Sequence, residues 1–311
     1  MDETYLVTGG AGFIGSNLVD ALLAKGKRVR VLDNFSTGRR ENLAHVSGDI
    51  ELIEGDLRSY ERVNTAVAGC DVVLHLGALP SVPRSVQDPL TTNAVNITGT
   101  LNVLLASRDA GVRRAVVASS SSVYGPTRTL PKTESMQTCP ASPYGVSKLA
   151  AEQYFMACNS VYAMEAVALR LFNVFGPRQD PTSQYSAVIP LFVRACLDGT
   201  RPTIFGDGTQ SRDFTYVVNV VDAFQRAATA EGAAGQVMNV ACGEQRTLND
   251  LVEQVRRACA STLEPVYAEP RIGDIAHSHA DITKARLLLG YEPAVGFAQG
   301  VAKTVAWMRE R

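Results

Sequence analysis

Residues 7–16 read VTGGAGFIGS, with Gly9, Gly12 and Gly15 three residues apart. They follow the apolar run TYLVTG (4–9) and open the stretch GSNLVDALLAKG (15–26), where Leu18, Val19, Leu22 and Leu23 share one helical stripe and Gly26 reads as the stop. A strand that turns into a helix through glycines lets backbone approach a pyrophosphate and aims helix-terminal N–H groups at negative charge. The spacing is GxxGxxG rather than GxGxxG, and glycine spacing alone is a weak signal.

The second strand-like run, RVRVLD (28–33), ends on Asp33, 18 residues after Gly15. A carboxylate there accepts from both ribose hydroxyls and repels a 2′-phosphate, so NAD is favoured over NADP as cofactor. Arg39 and Arg40 follow closely and are the contrary sign. Asp56, in GDLR after a third run (50–56), is placed to meet the adenine, and HLGA (75–78) to run along the ribose side. Near-continuously apolar runs at 71–78, 113–120 and 165–173 complete a set expected to be buried on both faces of a parallel sheet. Strand–helix alternation over about 170 residues predicts an α/β fold, a doubly wound Rossmann sheet.

The remainder is less regular and predicts a smaller α/β domain. The boundary falls at 172, giving 1–172 and 173–311, with a segment near 214–241 free to return to the first domain. RPTIFGDGTQSRDFTYV (201–217) reads as loops, and TLNDLVEQVRRACA (247–260) as a helix with Thr247 as N-cap and Asp250 as an imperfect capping box.

SPYGVSKLAAEQYF (142–155) carries Tyr144 and Lys148, which share a face if helical. An ammonium beside a phenol lowers its pKa from about 10 and makes Tyr144 a proton acceptor near neutral pH. A lone YxxxK is common by chance. Here it follows a dinucleotide site and a serine tract, Ser119 to Ser122, at the end of the fifth strand.

Thirty basic and 31 acidic residues leave a net charge of -1, which gives no global field for nucleic acid or an anionic membrane. Six cysteines form no CxxC pair and stand at no zinc-like spacing from a histidine, so no metal site is expected. The N-terminus has no secretory pattern and no run approaches the roughly 20 apolar residues of a membrane span, which predicts a cytoplasmic protein.

The glycine motif, the strand-end serine and YxxxK together resemble the extended short-chain dehydrogenase/reductases, over essentially the whole chain. Within them the chain looks most like the nucleotide-sugar 4-epimerases, closest to those acting on UDP-N-acetylglucosamine and UDP-glucose. In these a serine or threonine stands four residues before the Tyr of VYG, which here is Ser120. The resemblance implies that Ser120 hydrogen-bonds the sugar 4-hydroxyl, Tyr144 takes its proton, Lys148 supports Tyr144, and C4 gives a hydride to NAD. The keto sugar then turns over and is reduced on its other face. Dehydratases and decarboxylases that resemble this chain carry an acid at the next two positions. Ser121 and Ser122 are not competent acids at pH 7, which favours epimerisation.

By the same resemblance the cofactor is lined by Phe13, Ile14, Asn34, Ser36, Thr37 and Gly38. Further along, Leu57, Leu76, Gly77, Ala78, Asn93 and Ser119 join it. The UDP-sugar is met by Ser81, Arg84, Ser121, Asn173, Val188 and Phe205. Arg212 and Arg271 are expected on the diphosphate, where guanidinium forks suit phosphate oxygens, and Asp274 on the ribose. Ser278 maps to the position that gates space for an N-acetyl group, and its small size admits the 2-acetamido sugars without excluding glucose and galactose. UDP-glucuronate epimerisation, nucleotide-sugar 4-ketoreduction and a non-catalytic NAD-binding role stay open as alternatives. The resemblance also implies a homodimer, through helices at 96–111 and 147–160.

Overall fold

The computed structural model describes residues 3–181, 187–270 and 276–310. Its centre is one sheet of seven parallel strands. Six come in the first 171 residues: β1 (Thr4–Thr8), β2 (Arg28–Asp33), β3 (Ile50–Glu54), β4 (Val72–His75), β5 (Arg114–Ser120) and β6 (Glu165–Leu171). The spatial order is β3-β2-β1-β4-β5-β6, as the expected doubly wound sheet requires, and a later strand, Val237–Val240, adds itself beside β6. The order reverses between β1 and β4. Their C-terminal ends therefore open a crevice, where ligands of such sheets bind.

The covering helices are α1 (Phe13–Leu23), α2 (Tyr60–Val67), α3 (Val82–Gln87), α4 (Pro89–Asn93), α5 (Gly99–Asp109) and α6 (Pro143–Tyr162). On α1, Leu18, Val19 and Leu22 are buried, each such side chain stabilising by about 1.5–3 kcal/mol relative to exposure. The stretch 94–98 is a π-helical turn, so α5 starts later than its sequence pattern suggests. All of β4 and β5 is buried, but β3 is not: Leu52 is 40% exposed. The expectation of two buried faces fails there because β3 is the sheet edge, and Glu51 instead pairs with Arg30 at 2.7 Å.

The rest of the chain forms β7 (Val174–Phe175), α7 (Val188–Leu197), β8 (Thr203–Phe205), β9 (Ser211–Arg212), β10 (Thr215–Tyr216) and α8 (Val217–Ala227). After the seventh sheet strand, β11 (Val237–Val240), come β12 (Arg246–Thr247), α9 (Leu248–Cys259), β13 (Val266–Ala268), α10 (Thr283–Leu289) and α11 (Phe297–Arg309). Helix α8 packs on α1. The capping box of α9 is complete, because the Asp250 carboxylate reaches the Thr247 N–H at 3.0 Å as a glutamate would. Phe175, Phe214, Tyr216 and Phe297 pack with ring centroids 5.6–6.4 Å apart and bind α11 to the strand pair β7–β10. Among the described residues no helix is long and apolar enough to cross a membrane, and no group of His, Cys, Asp or Glu is arranged to hold a metal ion.

Candidate active site

The glycines build the crevice floor. Gly9 has φ +68, and a Cβ on it would stand 2.8 Å from the Gly77 Cα, so β1 and β4 meet there with no room for a side chain. A Cβ on Gly15 would lie 2.1 Å from the Gly9 carbonyl oxygen. Gly12, the N-cap of α1, offers no side-chain cap, which leaves first-turn N–H groups facing the crevice for an anion. Phe13 and Ile14, in that same turn, are half-buried.

Asp33 closes the far side. Its carboxylate accepts from the Ala11 N–H at 2.9 Å and the Phe35 N–H at 2.8 Å, which ties the glycine turn to the end of β2. Burial pushes its carboxyl up, against the pull of the Phe35, Ala11 and Asn34 amides. Each oxygen retains acceptor capacity for a ribose hydroxyl. Gly38 approaches Ala11 and Asp33 closely, and Ser36 and Thr37 are exposed just before it. Arg39 pairs with Asp180 and Arg40 with Glu54, the latter over the Phe35 ring, so both arginines have carboxylates of their own. Asp56 is held by Arg58 and by Asn34 Nδ2 at 2.9 Å, well below the usual carboxylate range. Leu57 is buried, Leu76 and Gly77 donate their N–H groups to Thr8, Ala78 follows, and Asn93 is exposed at the end of α4. An uncapped helix start, a side-chain-free turn and a strand-end carboxylate fit a dinucleotide.

Tyr144 stands in the first turn of α6. Ser142 caps that turn by accepting from the Gly145 N–H at 3.1 Å, and the buried Ser85 hydroxyl accepts from the Tyr144 N–H at 3.0 Å. Lys148, one turn on and buried, donates to the Ala118 carbonyl of β5 at 2.9 Å. Burial pushes the Tyr144 phenol up, and the Ser120 hydroxyl, hydrogen-bonded to it, draws it back. Burial pushes Lys148 down to about 8. Ser120 accepts from the Ser122 N–H at 3.1 Å, which leaves its proton for the phenol oxygen. The chain thus brings Ser120, Tyr144 and Lys148 together.

Ser119 has a different task. Its hydroxyl donates to Glu152 at 2.7 Å, and Arg170 grips the same carboxylate at 2.9 and 2.6 Å. Glu152 is fully buried and Arg170 nearly so. Burial works against the guanidinium charge, yet Glu152 holds it above its ordinary value. Arg170 also lies 4.7 Å from the Tyr124 ring, whose hydroxyl donates to Asn239 at 2.6 Å. Glu152 and Arg170 belong to none of the motifs above. The signals for this network were Glu152 four residues after Lys148 on the Tyr144 face, and an arginine inside the apolar run VALRLF.

His75, the first residue of the HLGA stretch, locks the two strand ends from a buried position. Thr100 gives its proton to the Asn96 carbonyl at 2.6 Å, so His75 Nε2–H donates to Thr100 at 2.9 Å and Nδ1 accepts from Thr8 at 2.7 Å. Burial first, and the Lys148 ammonium second, push it down to about 3. The ring is neutral at physiological pH.

On the other wall, Ala276–Asp281 runs extended between β9 and Lys132. Ser278 N–H donates to the Ser211 carbonyl at 3.0 Å, and Lys132 N–H to the His279 carbonyl at 2.8 Å. Ser278 is therefore buried beside Arg212, whose Nη1 donates to the Ser211 and Ala276 carbonyls. Asn173, with φ +35, donates to the Asp213 carbonyl at 3.2 Å. Val188 opens α7, and Phe205 lines a cavity of about 770 Å³ with Tyr267 and His277. Ser81 caps α3 by accepting from the Arg84 N–H, and Ser121 opens the turn after Ser120. Arg271 and Asp274 lie outside the described residues.

The family model for the NAD dependent epimerase/dehydratase family matches residues 5–241. A UDP-glucose 4-epimerase of Mycolicibacterium smegmatis is 42% identical over 98% of both chains. Among solved structures, a UDP-N-acetylglucosamine 4-epimerase from Methanobrevibacter ruminantium, in complex with UDP-N-acetylmuramic acid, is 39% identical over 99% of both chains, with a TM-score of 0.95. A Thermus thermophilus UDP-glucose 4-epimerase in complex with NAD is 36% identical over 98% of this chain and 99% of that one, with a TM-score of 0.89.

Proposed function

The chain belongs to the NAD dependent epimerase/dehydratase family and is an NAD-dependent UDP-sugar 4-epimerase, and we propose that its substrates are UDP-hexoses with a preference for the 2-acetamido pair, UDP-N-acetylglucosamine and UDP-N-acetylgalactosamine. UDP-glucose and UDP-galactose are accepted as smaller substrates, because a site with room to spare loses little by leaving it wet.

Tyr144 takes the proton of the C4 hydroxyl while Ser120 holds the same oxygen, and Lys148 keeps the phenolate charged. NAD, held by the glycine turn and Asp33, would supply the hydride acceptor for C4 and the donor for its return. Ser121 and Ser122 supply no acid for elimination at C5 and C6, so the keto sugar has only the return step open to it. The observation that carries this reading is the convergence of Ser120, Tyr144 and Lys148 with hydroxyls, not carboxylates, at the two following positions. The acetamido preference is supported by Ser278, small and buried beside Arg212, and by a structural neighbour that holds an acetamido sugar nucleotide.

The test is a panel of UDP-glucose, UDP-N-acetylglucosamine and UDP-glucuronate against one preparation, followed by NMR at C4. The acetamido sugar is expected to turn over fastest. No epimer from any of them would sink the assignment, and turnover of glucuronate alone would overturn the preference.

A homodimer through α5 and α6 belongs to the same proposal. Helix α6 leaves Val146, Tyr154 and Val161 exposed, and apolar side chains spaced along one helix suit a partner. Light scattering is expected to give twice 33.3 kDa, and a mass of 33.3 kDa refutes it.

A further inference from the structure

We propose that Asp213 is the positioning residue that assembles the UDP-binding wall, by gripping three backbone amides from two separate loops next to Arg212. Its carboxylate accepts from the Cys242 N–H at 2.9 Å and the Gly243 N–H at 3.1 Å, which follow β11, and from the Ala280 N–H at 3.2 Å, two residues past Ser278. Its own carbonyl accepts from Asn173 Nδ2 at 3.2 Å. One residue thus joins the backbone of Arg212, the segment of Ser278 and the side chain of Asn173. This rests on reading those three as the UDP-sugar wall.

Asp213 has 0% exposure, and the groups that offset its burial are three backbone amides and the nearby His279 rather than a lysine or arginine. A lone carboxylate without a countercharge is costly to bury. Burial raises it to about 6, against the three amides and the nearby His279. A folded pKa above the ordinary 3.8 means that the fold prefers the protonated acid, and that ionisation at pH 7 costs stability. An expensive charge that serves the fold poorly, yet ties two loops and Asn173 together on one wall, points to placement of that wall.

The test uses the full chain loaded with NAD and the variant Asp213→Asn, equal in volume but with an NH₂ facing an amide donor. UDP binding by calorimetry is expected to weaken about tenfold or more, and KM for UDP-N-acetylglucosamine to rise in step. NAD content and kcat are expected to stay near wild type in the folded variant, a split that a merely structural role would not produce. UDP affinity unchanged in the folded variant overturns the proposal. Arg212→Gln separates the two layers: if it too leaves UDP binding intact, the wall itself is misread, whereas if it alone weakens binding, only the role of Asp213 falls.

If the Asn variant does not fold, wild-type binding of UDP-N-acetylglucosamine decides. Affinity is expected to drop as pH falls through about 6 and Asp213 loses acceptor capacity. The groups facing it are His279, the Cys242 thiol and the Tyr291 phenol. A flat or rising affinity overturns the proposal.

Discussion

Replacing Tyr144 with Phe is expected to lower kcat by about three orders of magnitude, the upper-middle range for loss of a positioned acid–base group, while NAD stays bound. The ring keeps its place. Its backbone N–H is held by Ser85, the helix start by Ser142, and neither bond involves the phenol. Only the hydroxyl that meets Ser120 is lost. Single-turnover kinetics and cofactor content after gel filtration check both halves. A rate within about tenfold of wild type would remove Tyr144 from the proton-transfer role.

Lys148→Met is expected to cost a similar factor in rate and yet to stabilise the NAD-free protein at neutral pH. Lys148 is buried with a pKa near 8, below its ordinary 10.5. The folded state therefore binds this proton less tightly than the unfolded chain. The penalty for the charge is complete below pH 8, about 3 kcal/mol, and fades as pH rises from 8 to 10.5. The lost bond to the Ala118 carbonyl returns about 1 kcal/mol of that. A net gain of about 2 kcal/mol at pH 7, shrinking towards pH 10, is the expected denaturation profile. A variant less stable than wild type at pH 7 contradicts the burial argument. The fold thus carries at Lys148 a charge that it would shed if stability alone mattered, which is common where a proton must be held ready.

Much of this architecture is legible in the chain. The glycine turn and the strand-end Asp33 lie within one βαβ unit, where backbone geometry restricts residue type directly. Tyr144 and Lys148 are one helical turn apart, so their common face follows from the helix. The serine tract is less transparent. The register β5–β6 sets Ser119 opposite Arg170, and Glu152 comes to them from α6, so Ser119 serves an internal ion pair while its neighbour Ser120 meets the phenol. The exposure of β3 was equally hidden, because an apolar run does not say whether its strand will be central or at the edge.

The sequence by itself determined the elements whose constraints are local: a turn only glycine can make, apolar periods that select strand or helix, and an i,i+4 pair. Only the tertiary structure decided which polar groups answer one another across the fold. Glu152 with Ser119 and Arg170, His75 between Thr8 and Thr100, and Asp213 under three amides join residues 18 to 67 positions apart. Buried polar groups must find partners wherever the packing of strands and loops puts them, and that placement is set by topology rather than by distance along the chain.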